Sequence, residues 1–351
     1  MKKSSMSRSA LFLRAFLVAL IFALPAGPLA HAHDDGKDLR GDAFSDPSRQ
    51  FPMPRDWVDK RIVYEREAER ADADLAIVMD QDIYYTLLPI IRKFGEDNNL
   101  KIFVKEGTCG IAAGMLGKKS VDMGGFCCPP GAEDRLPGIR FHTMGLVAKA
   151  FFVHPDNPVD NVSSSQLRDI YSGRIFRWSE LKTSRGVPGP AWTVKAIGRL
   201  HCQIRPGHWR QLLDTDKEFS PRLHEVGSIP DMIAQVASAR DAIGWEVLTM
   251  IEKYRDKGAV KPLRIDGFLP TDSEALVSLK YPFYRTYNLT TWVGKNVENK
   301  RAEQLVEYMK KEFEKLNADK YGFVSQARLR KAGWKFKGDE LIGEPGPARQ
   351  K

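Results

Sequence analysis

The sequence predicts an α/β fold of two lobes, each a mainly parallel sheet flanked by helices, with a ligand cleft between them. From residue 74 onward, short apolar runs alternate with amphipathic stretches of helical period. That is the pattern of strands joined by crossover helices. A long apolar run, Phe141 to Val153, can carry the backbone from one lobe to the other. The chain, 351 residues, also exceeds what one hydrophobic core usually fills.

Residues 1–32 read as an export signal. Lys2, Lys3, Arg8 and Arg14 accompany an apolar stretch from Ala15 to Leu24, and Ala30-His31-Ala32 fits a small-x-small cleavage site. The stretch is shorter than the ~20 apolar residues that span a bilayer. No cysteine follows it to carry a lipid. The expected compartment is the periplasm. Cleavage after Ala32 removes four basic residues and lowers the net charge from +9 to +5. Such mild, dispersed charge suits an anionic ligand. Without a basic–aromatic motif, it does not indicate nucleic acid.

Residues 33–73 are polar and Pro-containing, and read as an extended arm with one short helix near 57–70. The first lobe opens with a buried strand from Asp74 to Met79, bounded by Asp80. A helix over 83–94, a strand over 100–105, a short helix from Cys109 and a strand over 120–126 follow, and this part runs to residue 153. The second lobe covers 154–240. Ser163, three residues before Gln166, makes a capping box at a helix start. A strand over 193–199 comes next. A helix beginning at Pro206, where the missing N–H costs nothing, and one over 230–240 complete the lobe. Residues 241–330 return to the first lobe through Asp241-Ala242-Ile243-Gly244-Trp245, strands over 260–266 and 285–293, and a helix over 300–316. The end, 331–351, reads as a flexible tail.

The chain has four cysteines, at Cys109, Cys127, Cys128 and Cys202. Each follows a predicted strand end, where ligands bind in open α/β sheets. Two chemistries are open. Exported chains sit in an oxidising compartment, and four cysteines allow three disulfide pairings. Cys127 and Cys128 are poorly placed to pair with each other. Neighbouring Cα atoms lie about 3.8 Å apart, whereas a disulfide needs roughly 4.4–6.8 Å. The alternative is a thiolate site. Cys109 and Cys202 flank predicted helix starts, which favour the thiolate, and Arg199 and Arg205 lie near Cys202 in sequence. Thiolates with His201 or His208 prefer Cu(I), Zn(II) or a trivalent metalloid. Closure of two lobes would bring Cys109 and Cys127 or Cys128 against Cys202.

Three segments carry a family resemblance. They are Val162-Ser163-Ser164-Ser165-Gln166-Leu167 through Ile175-Phe176-Arg177-Trp178, Asp241-Ala242-Ile243-Gly244-Trp245, and Tyr281-Pro282-Phe283-Tyr284-Arg285-Thr286-Tyr287. Over roughly 74–330 the chain resembles the phosphate-type periplasmic solute-binding proteins of ABC transporters, which implies the two-lobed type II periplasmic binding protein fold. In that family, helix N-termini, hydroxyls, an arginine and carboxylates hold the anion. The resemblance places Thr108, Cys109 and Gly110 on the family's first anion-binding helix entry. It places Cys127 where the family has an aspartate, and Arg199 on the family's arginine. Cys202-Gln203-Ile204-Arg205 replaces the hydroxyl-bearing loop that should follow, and Met79-Asp80-Gln81 replaces the first loop.

These readings predict a non-enzymatic binding protein. It would capture a small, phosphate-like oxyanion between its lobes, through Thr108, Cys109, Gly110, Cys127, Cys128, Arg199, His201, Cys202 and Arg205, for an inner-membrane ABC permease. The alternative is thiolate binding of a thiophilic metal or metalloid, such as arsenite or copper, by Cys109, Cys127, Cys128 and Cys202. Its closed form would then signal to a membrane sensor kinase. No resident cofactor is expected, and the chain should act as a monomer.

Overall fold

The computed structural model describes residues 40–346. The predicted signal, the start of the arm and the last five residues of the tail lie outside them. Among the described residues, no helix is long and apolar enough to cross a membrane.

The strand Leu75–Asp80 is buried at every position and pairs in parallel with Ile102–Gly107 and Met123–Phe126. Asp80 ends the strand and caps the next helix, its carboxylate accepting from the Asp82 N–H. The helix therefore starts earlier than predicted, and spans Gln81–Asp97. Thr108 caps Cys109–Gly117 in the same way, through the Ile111 N–H. Both helices thus begin at one edge of the sheet, as crossover connections require.

The long apolar run does join the lobes. It forms one strand, Ile139–Val153, whose first half pairs antiparallel with Tyr284–Trp292 and whose second half pairs antiparallel with Ala242–Val247. The sheet order runs Ile102–Gly107, Leu75–Asp80, Met123–Phe126, Tyr284–Trp292, Ile139–Val153, Ala242–Val247, Lys195–Gly198, His224–Glu225. The flanks are parallel, while the centre is antiparallel. Because one sheet continues through both lobes, the described residues, 40–346, pack as a single compact unit. Gly145 sits mid-strand for a steric reason: a Cβ there would meet the Val324 carbonyl oxygen at 2.1 Å.

In the second lobe, Ser163 and Gln166 form the capping box of Ser164–Ser172, and Gly173 ends that helix at φ 82°. Tyr171 packs edge-on against Trp245, with ring centroids 4.8 Å apart, and both are fully buried. Such a pair contributes about 0.5–1.5 kcal/mol beyond its area. The Trp178 indole N–H donates to the Asp241 carbonyl at 2.8 Å. Aromatic residues in two of the resemblance segments are therefore core contacts between neighbouring elements.

Four expectations need correction. No helix starts at Pro206; Gly207 adopts φ 72°, and only a short 3-10 turn, His208–Gln211, follows. The expected strand over 260–266 is two fragments, Lys261–Pro262 on the central strand and Arg264–Ile265 on Asn161–Val162. The arm carries two short helices, Arg55–Asp59 and Arg66–Arg70, and is packed down: Trp57 donates to Gly117 O at 2.6 Å and Tyr64 to Asp122 Oδ2 at 2.6 Å. The tail is ordered through residue 346, with a hairpin of Lys335–Lys337 and Glu340–Gly343. Trp334 anchors that hairpin. It is 4% exposed, donates to Val277 O at 2.9 Å and meets the Tyr284 ring edge-on. Trp334→Ala should therefore lower unfolding free energy by about 3–5 kcal/mol in urea titration, whereas a loose tail would leave it unchanged.

Candidate functional site

Parallel strands deliver their carboxyl ends to one edge, and three cysteines lie just beyond two of them. Cys109 is the first residue of its helix, two residues after the strand Ile102–Gly107; Cys127 and Cys128 directly follow Met123–Phe126. All three are fully buried. Cys202 comes from the loop after Lys195–Gly198, is only partly buried, and holds φ 64°. All four are free thiols. Cys109 Sγ lies 3.5 Å from Cys127 Sγ, which lies 3.9 Å from Cys128 Sγ. Cys202 interacts with Cys109 and Cys128. Asp80 joins Cys109 and Cys127 in a group whose donor atoms all lie within 4.8 Å of one another.

Buried charge surrounds the thiols. Arg285, which opens the strand Tyr284–Trp292, pairs with Asp82, lies 3.5 Å from Cys127 Sγ, and places Nη2 3.1 Å from Glu246 Oε1. Arg199 reaches the other Glu246 oxygen at 3.1 Å. Arg205 clamps Asp134 through two nitrogens, at 2.8 and 2.6 Å, and also donates to the Cys109 carbonyl. Lys149, fully buried, donates to the His208 carbonyl at 2.7 Å. Each of the three arginines therefore has a buried carboxylate partner, Arg199 and Arg285 sharing Glu246.

The thiols divide into donors and acceptors. Hydrogen bonding to Cys127, Cys128 and Cys202, together with burial, holds Cys109 well above the usual thiol range. Cys127 is driven well down by hydrogen bonds with Cys109 and Cys128 and by Arg285, against its burial. Cys202 is likewise driven down by Cys109, Cys128 and His201. For Cys128, Cys109 pulls downward, but Cys127, Cys202 and burial outweigh it and the thiol rises. Burial raises Asp80 and Asp82, and lowers Lys149 and His208. Such shifts cluster at functional sites.

The predicted residues are not all together. Cys109, Cys127, Cys128 and Cys202 converge, with Arg199, Arg205 and His201 near them. Thr108 and Gly110 stay on an exposed rim, where the Thr108 hydroxyl is used in capping. Arg199 and Arg205 do not offer an uncompensated charge, since each has a carboxylate partner. The predicted helix start near Cys202 is absent, so no helix dipole acts there; neighbouring thiols and His201 supply the shift instead. His208, a candidate soft-ion partner of the thiolates in the sequence, is 1% exposed at φ 52°, with neither ring nitrogen hydrogen-bonded and its ring 5.0 Å from that of His201. The sequence reading missed Asp80, Asp82, Lys149, Glu246 and Arg285 as site residues. For Asp80, Lys149 and Glu246 the signal was a charge within or at the end of an otherwise apolar strand, as in Ala242–Val247, whereas Asp82 lies in the first turn of a helix.

No protein-family model matches the chain, and no curated protein matches its sequence. Solved structures do match. An ABC-type phosphate transport receptor from Vibrio cholerae superposes with a TM-score of 0.54 at 16% identity, covering 71% of this chain and 99% of its own. A putative phosphate ABC transporter substrate-binding protein from Clostridium perfringens, with bound phosphate, gives 0.53 at 14% identity, covering 76% and 99%. The chain has the type II periplasmic binding-protein fold. Cys109, Cys127 and Cys128 lie just past the carboxyl ends of parallel strands, the side on which open α/β sheets commonly bind ligands.

Two outcomes follow. Cys202 should react with iodoacetamide at a nearly constant rate between about pH 5 and 8, because its lowered pKa keeps it a thiolate there; an ordinary thiol, with pKa near ~8.5, would slow steeply below neutrality. Mass-spectrometric peptide mapping reads the rate. Asp134→Ala should cost about 3–5 kcal/mol in chemical denaturation, since it strands the Arg205 guanidinium in the interior.

Proposed function

We propose that the protein is an exported periplasmic solute-binding protein that encloses a thiophilic ion and presents it to a membrane partner. That partner is an inner-membrane ABC permease or the outer domain of a sensor kinase. The observation carrying this reading is the convergence of Cys109, Cys127 and Cys128 in the interior, with the partly exposed Cys202 beside them. Soft thiolates select soft ions. The fold supports a binding role, as its structural neighbours are named as phosphate receptors.

An oxyanion is the less favoured solute. A phosphate-like ligand needs donors with charge to spare, and Arg199 and Arg205 are paired with Glu246 and Asp134. Cys127 stands where the family would place an aspartate to accept from a protonated phosphate oxygen. A thiolate there is a weaker acceptor and a better soft-metal ligand.

Thermal unfolding of the reduced mature protein tests this. A ligand at 100 times its dissociation constant stabilises the native state by about 2.7 kcal/mol. Arsenite or Cu(I) should raise the melting temperature by several degrees and phosphate should leave it unchanged. A rise with phosphate that survives Cys109→Ser would overturn the proposal.

A further inference from the structure

The identity of the ion follows from charge and stoichiometry, and this step rests on the thiophilic-ion reading above. We infer that the solute is a trivalent metalloid hydroxide, of the arsenous acid class, held as a neutral tris-thiolate by Cys109, Cys127 and Cys128. These three thiols are fully buried and follow the two strands that flank Leu75–Asp80 in the sheet, with Cys109 Sγ and Cys128 Sγ at 3.5 and 3.9 Å from Cys127 Sγ and Asp80 beside Cys109 and Cys127.

The surroundings select the charge of the adduct. Arg199, Arg205 and Arg285 are already paired with Glu246, Asp134 and Asp82, and Lys149 is held by the His208 carbonyl. An added net charge would therefore be buried without a counter-ion, which is costly in a protein interior. Three thiolates on a divalent ion leave one negative charge, and on a monovalent ion two. Three on a trivalent centre leave none. The free acid is also neutral, so a cleft without surplus positive charge suits its entry.

The exchange balances without a redox partner. Three metalloid–oxygen bonds break and three metalloid–sulfur bonds form. Each hydroxide leaves as water with a thiol proton, and where a thiol is already ionised the proton comes from solvent. No oxidation state changes. Cys202 lies on the opposite lobe and is partly exposed, so it meets the incoming molecule first and is displaced as the inner three close.

The test titrates the reduced mature protein with sodium arsenite, zinc sulfate, a Cu(I) complex and phosphate, in two buffers of different ionisation enthalpy. Arsenite should bind one-to-one, with a native mass gain of one arsenic less three protons, and should release no protons to buffer but take one up for each thiol already ionised; zinc or copper displaces thiol protons into it. With arsenite bound, N-ethylmaleimide should label Cys202 alone in the unaltered protein. Cys109→Ser, Cys127→Ser and Cys128→Ser should each weaken arsenite by about a hundred-fold or more, the scale of losing one arm of a chelate. Cys202→Ser should slow uptake while keeping the three-proton product. Binding of zinc or copper without arsenite would sink this inference and leave the thiophilic reading standing. Arsenite binding that protects Cys202, or loses only two protons, would sink the three-thiol assignment. Binding of phosphate alone would remove both.

Discussion

One buried guanidinium ties the structure together. Arg285 is 2% exposed and touches three elements at once: Asp82 in the first turn of Gln81–Asp97, Glu246 near the end of Ala242–Val247, and Cys127 beyond Met123–Phe126. A charge so deep persists only with partners, and removing any of them leaves the others uncompensated. Arg199 adds a second claim on Glu246. The carboxylate therefore links a residue of the second lobe to the strand that runs through the centre of the sheet. The same guanidinium lowers the pKa of Cys127, so the contact that holds the elements in register also sets the state of a thiol.

Around this pivot each arginine has a carboxylate partner. Among the described residues, the buried polar atoms without a hydrogen bond include Asp82 Oδ1, Arg199 Nε, Arg285 Nε and both His208 ring nitrogens. Buried free cysteines generally pack as small hydrophobes, and Cys109, Cys127 and Cys128 do lie within the main core cluster. What separates them from ordinary core residues is mutual contact. The donor thiols Cys109 and Cys128 alternate with Cys127 and Cys202, whose negative charge they stabilise.

Local signals in the sequence were reliable where local physics decides. Ser163 caps the helix that follows it, as its capping-box pattern predicts, because a side-chain oxygen can reach an unpartnered N–H within three residues; Asp80 and Thr108 cap in the same way, a role the sequence reading did not give them. The linking strand was legible because Phe141–Val153 is too apolar to face water. The meeting of the cysteines was legible from their shared position after strands. The pairing of charges was not. Arg205 finds Asp134 across 71 positions and Arg285 finds Asp82 across 203, and no local pattern specifies such partners. Gly207 was misread for a related reason: a positive φ breaks the helix that Pro206 alone would favour. The hairpin after Trp334 was hidden because its composition is polar and its burial depends on distant Val277 and Tyr284.

The course of the arm has a mechanical consequence. Gly41 N–H bonds to Arg210 O and Asp42 O accepts from Gly207 N–H, so the arm is stitched to the loop that carries Cys202 and His208. A few residues later, Ser45 donates to Pro130 O and Phe51 N–H to Arg135 O, next to Cys127 and Cys128. A short length of extended backbone, 41–51, therefore bridges both sides of the thiol cluster like a hasp. Any motion that parts Arg210 from Pro130 must first unpick one of these bonds or drag the strap along. Separation of these two loops is then resisted partly by hydrogen bonds made by this segment.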